Sequence, residues 1–212
     1  MTLARFLPIP LVDGGGLDLD GVLVRTWGGA EAIFDGGTVF ACVTAPTRLR
    51  DAHGAFSLVA GMWAVLPDGC HLSGGQGLAV VVPGYRGLRA VGGPIEARGR
   101  LRYIDGCTDT LLAGPARLGE PCLNHLHIPA ATRQSTHTHP SLRAGVIARG
   151  AGTCVTAAGR HPLTPGLGWV IPTGLAHAFH TDTSPLDVLA WHPETDTGPT
   201  DADHPMLNRT LL

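Results

Sequence analysis

Glycine and proline punctuate this sequence so densely that long helices have little room to form. Of 212 residues, 30 are Gly and 17 are Pro, and between them lie short runs in which apolar and polar residues alternate. Such alternation is the period of a half-buried strand, and clusters such as Pro67-Asp68-Gly69 and Thr183-Ser184-Pro185 are turn chemistry. The pattern predicts strands over 22–26, 38–43, 56–66, 78–82, 95–103, 122–128, 144–148, 154–156, 168–171, 177–180 and 187–191. Only 46–53 reads as a short helical turn, with Pro46 tolerated at its start. Many short strands with turns at near-regular spacing specify an all-β chain, a sandwich or a barrel.

The composition narrows the function classes. A hydrophobic content of 44% supplies a substantial core, and a net charge of −2 gives no electrostatic reason to bind nucleic acid or an anionic membrane. All fifteen basic residues are Arg, which removes lysine nucleophiles and Schiff bases. The five cysteines are scattered without a Cys-x-x-Cys pair, a pattern expected of reduced thiols in a cytoplasmic protein. Residues 1–13 lack the apolar core of a signal peptide, and no run approaches the ~18 apolar residues of a membrane span.

A weak internal similarity aligns Gly75–Gly84 with Gly150–Gly159. It suggests two tandem units, residues 1–108 and 109–212, with 105–119 as the connector. In that register Met62 and Ala64 take the places of His137 and His139, which makes the first unit a barrel without a metal motif.

The chemistry concentrates in the second half. In Thr136-His137-Thr138-His139 the two histidines point the same way if they lie on a strand. Pro172 and Gly174 make a tight turn that returns the chain, and His177 starts the next strand. Three imidazoles so gathered form a facial set with other metal positions left open. Neutral imidazole suits Fe, Zn, Ni and Cu, so ligand type alone does not choose the metal.

From Cys122 to Pro193 the chain resembles the cupin superfamily. Its first motif is a His-x-His pair, then a Glu, then a Gly; His137, His139 and Gly150 match, with Arg143 in the place of the Glu. Its second motif is Gly, Pro-x-Gly, His and Asn; Gly166, Pro172, Gly174 and His177 match, with Thr181 replacing the Asn. The resemblance implies a small antiparallel barrel, the double-stranded β-helix, with a metal held in its lumen by His137, His139 and His177. Some cupins, the cysteine and gentisate-type dioxygenases, use three histidines without the Glu, on Fe(II). By that analogy the implied cofactor is one divalent ion, Fe(II) first, with Zn, Ni, Mn or Cu as alternatives.

Arg143 cannot be a ligand, because a guanidinium does not deprotonate in proteins. Either it turns outward as a structural residue, or it lies in the lumen and meets an anion shared with the metal. The second option makes Arg143 the catalytic candidate, because Arg forks onto carboxylates and three neutral ligands leave the ion's full charge. His125, His127 and Gln134 are candidates for groups that orient the ligands, although Leu126 and Ile128 compete with the two histidines for the interior. Glu120 and Gln134 are candidate substitutes for the missing carboxylate. His180 has the opposite strand parity to His177 and should face away, and Glu96, Arg98, Arg100 and Arg102 read as a solvated edge. Residues 195–212 are expected to pack across a barrel end or a partner copy, and a homodimer is expected. The reading that follows is a mononuclear Fe(II) dioxygenase of a small anionic metabolite. Its rivals are a non-oxidative metal-dependent isomerase, lyase or hydrolase, and a non-enzymatic small-ligand-binding protein.

Overall fold

The computed structural model describes residues 5–207, 210 and 211. The start of the N-terminal segment and part of the predicted C-terminal tail, residues 1–4, 208, 209 and 212, lie outside it. Among the described residues the chain is built of antiparallel strands, and its one helical element is a single 3-10 turn, Ile104–Gly106. No helix is long and apolar enough to cross a membrane.

Two large sheets carry the architecture. One has the order Gly16–Leu19, Val22–Trp27, Gln76–Pro83, Gly37–Ala45, Trp63–Leu66, Ala90–Gly92. The other has Leu101–Arg102, Thr108–Ala113, Cys122–Ile128, Leu186–His192, Arg143–Gly150, Leu167–Ile171, Leu7–Pro10. Each faces a smaller sheet: Ala32–Phe34, Cys70–Ser73, Thr47–Asp51 and Gly54–Leu58 on one side, His177–His180, Gly152–Thr156 and Gly159–Leu163 on the other. The two halves thus run the same strand order twice. One exchange crosses between them: Leu7–Pro10 joins the second half's sheet, pairing Leu7 with Val170.

Strand alternation sorts the side chains into three cores. On Gly37–Ala45, Val39, Ala41 and Val43 fill the first lumen with Trp27, Leu49, Leu58 and Leu72. Phe40 and Cys42, on the opposite face, join a core shared between the large sheets with Leu78, Val146, Leu189 and Trp191. Ile147, Val188 and Phe179 line the second lumen. All five cysteines are free and buried.

Several local expectations give way. Residues 46–53 form a strand, Thr47–Asp51, because Thr47 and Leu49 bury while Arg48 and Arg50 stay out, a period of two. The expected strand over 56–66 breaks at Gly61, which sits at φ +82°, into Gly54–Leu58 and Trp63–Leu66. In 95–103 only Leu101–Arg102 pairs, and Arg100 and Glu96 make an exposed ion pair there. The presumed connector 105–119 contains the strand Thr108–Ala113, paired along Cys122–Ile128.

The repeat register also shifts. Gln76–Pro83 takes the place in its sheet that Leu186–His192 takes in the other, whereas Gly150–Gly159 runs from a strand end into a hairpin. Phe34 pairs with Cys70 as His137 pairs with His177, and both Phe34 and Cys70 are buried. The histidine places of the first half are therefore held by Phe34 and Cys70, and Met62 and Ala64 lie elsewhere.

Candidate metal centre

His137 and His177 are locked together by reciprocal backbone hydrogen bonds, each N–H to the other's carbonyl at 3.0 Å. The Pro172-Thr173-Gly174 turn holds the second histidine of the pair: Gly174 N–H donates to the His139 carbonyl at 2.9 Å. The three rings converge, with centroids 5.1, 4.6 and 5.1 Å apart, and one nitrogen from each lies within 4.8 Å of the others. Among the described residues this is the one group of three or more metal-ligating side chains so placed.

The donor set fits a metal ion. Nδ1 of His137 lies 2.9 Å from the Ser135 carbonyl, and Nδ1 of His177 lies 2.9 Å from the Leu175 carbonyl. A carbonyl can only accept, so each Nδ1 carries the hydrogen, and Nε2 is the nitrogen left to ligate. This is the arrangement that fixes tautomer and ring orientation in metal-ligating histidines. Burial, then the positive charge of Arg143, pushes His139 down to about 3. Burial pushes His177 down to about 4. Both imidazoles are neutral near pH 7, the state in which they can ligate.

Around the histidines is a cavity of about 300 Å³ with largely apolar walls, including Leu101, Leu126, Trp169, Ile171 and Phe179. Trp169 can lie along the Arg143–Gly150 strand because residue 145 is Gly: a Cβ there would meet its ring at 2.6 Å.

Arg143 lines this cavity and is 8% exposed. It shares strand parity with Ile147, a lumen residue, so of the two orientations open from sequence the inward one is found. One guanidinium nitrogen donates to the Ser141 and Leu142 carbonyls and the Ser141 hydroxyl. Its Nε is buried and has no hydrogen-bond partner. Leaving a charged donor so unsatisfied is costly, and an anion would relieve it.

The other sequence candidates fare differently. Gln134 borders the cavity but serves the fold, accepting the Phe179 N–H at 3.1 Å and donating towards Cys107 Sγ. His125 and His127 do not orient the ligands. Leu126 and Ile128 take the lumen side of their strand, and both histidines face the other way, onto the buried Asp187 at 2.8 and 2.9 Å. Glu120 is no substitute ligand either: its carboxylate caps a surface turn, accepting the N–H groups of Ala116 and Arg117. His180 does not border the cavity.

Two cavity residues escaped the sequence reading. His192 ends the Leu186–His192 strand in phase with the lumen residues Val188 and Ala190, and burial followed by the Arg143 charge pushes it down to about 3. That parity was the available signal. Asp109 also borders the cavity, with Asn124 Nδ2 donating to it at 2.6 Å, and burial raises its pKa.

Solved structures share this architecture. A cupin 2 conserved barrel domain protein from Leptotrichia buccalis superposes with a TM-score of 0.56 at 11% identity, covering 92% of this chain and 91% of that one. Salicylate 1,2-dioxygenase from Pseudaminobacter salicylatoxidans gives 0.61 at 12% identity, covering 84% and 75%. This chain has the cupin fold. AerE from Microcystis aeruginosa gives 0.61 at 10% identity, covering 88% and 95%. No protein-family model matches the sequence of this chain, and neither does any curated protein. At these identities the likeness concerns the fold, and the function of this chain follows from its site.

Proposed function

We propose that this cupin is a mononuclear non-haem Fe(II) dioxygenase acting on a small anionic metabolite. The observation that carries the reading is the pairing of three converging imidazoles, with no carboxylate among them, and an inward Arg143 whose Nε has no partner. His137, His139 and His177 would hold the metal, which when bound supplies open positions where substrate and dioxygen can meet. Arg143 binds the substrate's carboxylate or enolate and orients it toward the histidines. The apolar walls exclude water and strengthen that charge pairing. A salicylate 1,2-dioxygenase among the structural neighbours lends the reading support at the level of fold.

Anaerobic reconstitution with Fe(II), followed by oxygen-electrode screening of small carboxylic acids, tests it. Oxygen uptake dependent on both iron and one acid is the expected result, and failure to take up any metal would overturn it. The half-buried Asp109 favours a second reading, a non-oxidative isomerase, lyase or hydrolase in which that carboxyl group moves a proton. Turnover of an acid by the zinc-loaded protein without oxygen consumption would select it.

A further inference from the structure

The segment that crosses from the first half to the second runs beside the loop bearing His137, and it touches that loop three times. The Tyr103 ring packs edge-on to the His137 ring, with centroids 6.5 Å apart. Asp105 accepts two hydrogen bonds from Ser135, one from the backbone N–H at 2.6 Å and one from the hydroxyl at 3.1 Å. Cys107 Sγ receives Gln134 Nε2 at 3.8 Å. The middle contact reaches furthest into the site, because the Ser135 carbonyl is the group that receives His137 Nδ1–H. One carboxylate thus holds, through its N–H and its hydroxyl, the residue whose carbonyl oxygen sets the angle of a ligand ring.

The backbone at Asp105 is unusual in a way that bears on its role. It lies at φ 54°, ψ 35°, inside the 3-10 turn, a left-handed conformation that glycine adopts freely and, among residues with a Cβ, Asn and Asp adopt most readily. Glycine would serve the turn at less strain. Aspartate there keeps a side chain, and that side chain is spent on Ser135.

We propose that Asp105 is a positioning residue for the metal centre, acting through Ser135 to hold the His137 imidazole with Nε2 towards His139 and His177. The inference rests on the three histidines binding a metal, and on neither the identity of that metal nor any reaction.

Zinc affinity of tag-free protein, measured by competition with a chromophoric chelator, separates this role from general support of the fold. Asp105→Gly removes the clamp and the backbone strain together. It should weaken zinc binding about tenfold, the order of loss seen when a ligand's supporting group is removed. The metal-free protein should still melt within about 4 °C of wild type, because relief of the left-handed strain offsets the lost hydrogen bonds. Asp105→Asn, whose amide oxygen still accepts the Ser135 N–H, should restore affinity to within about threefold. Wild-type zinc affinity in Asp105→Gly would overturn the inference. So would a metal-free Asp105→Gly protein that fails to fold or melts about 10 °C lower, since the clamp would then serve the fold. If wild type binds no more zinc than a His177→Ala control, the metal reading itself fails and takes this inference with it.

Discussion

Asp187 offers a test of what holds the strands of the second half's large sheet together on the face turned away from the histidines. Its side chain is 5% exposed and lies on the face of the Leu186–His192 strand turned away from the metal site. One carboxylate oxygen accepts His125 Nε2 at 2.8 Å and His127 Nδ1 at 2.9 Å, and the other accepts Arg149 Nε at 3.1 Å. Asp187→Asn keeps the shape but replaces one acceptor oxygen with an NH₂ group and removes the charge. A hydrogen bond to a charged group contributes about 1.5–3 kcal/mol, but the Arg149 end is half exposed and counts for no more than about 1. Relief of the carboxylate's own desolvation returns part of the loss. The net cost is about 3 kcal/mol, or about 6–12 °C in Tm for a chain of this size. The pH dependence has a definite sign. Burial alone would raise the Asp187 pKa, but the hydrogen bonds from His125, His127 and Arg149 outweigh it and hold the carboxyl below its ordinary value. A depressed folded-state pKa means stability that is fully present above the unfolded value, near ~3.9, and is lost as pH falls through the folded value. Urea denaturation of wild type and Asp187→Asn at pH 7, 5, 4 and 3 measures the difference directly. It should hold at about 3 kcal/mol down to about pH 5 and shrink below about pH 4. A difference under about 1 kcal/mol at pH 7, or one unchanged at pH 3, would refute the reasoning.

Further outcomes follow from the site and the cores. Arg143→Met should leave zinc stoichiometry at one per chain while weakening benzoate, a minimal carboxylate probe, by at least about tenfold in calorimetry; equal affinity would remove Arg143 from anion binding. His177→Ala should abolish stoichiometric metal, read by elemental analysis of tag-free protein, because two imidazoles cannot make the facial set; retained metal would relocate the centre. Trp191, 1% exposed and packed on Phe40 with ring centroids 6.1 Å apart, belongs to the core between the two large sheets. Trp191→Ala should cost about 3–5 kcal/mol in urea unfolding, and a cost below about 1 would mean that those sheets are not coupled there.

The parts of this molecule that can be read in one dimension are those where neighbours in sequence decide the outcome. Alternation along 122–128 and 187–191 finds the strands, and two spaced motifs find three ligands, because each motif is a local turn or strand pair. Arg143 could not be turned inward or outward from sequence, since its strand is buried on both faces and Ala144 and Ile147 give no preference. His125 and His127 were ambiguous for the opposite reason: both faces of their strand are wanted inside, and Asp187, the partner that satisfies them, lies on a strand far away in sequence. Thr108–Ala113 has no apolar alternation in Thr-Asp-Thr to mark it as a strand; it is half buried, one strand in from the sheet edge, and brings Asp109 to the cavity. The register of the repeat failed because glycines follow turns, and turns recur at several places in each half.

The strand exchange has a consequence in time as well as in space. Leu7–Pro10 is made well before its partner Leu167–Ile171, with nearly all the other strands between them in sequence. During synthesis this segment has no sheet to join until most of the protein has followed it. Its sequence, Leu-Pro-Ile-Pro, suits a strand that has to wait: the two prolines lack N–H groups, which limits the wrong edges it can extend. The large sheet of the second half is then completed along Leu167–Ile171 only when a segment made well before that strand comes back to pair with it.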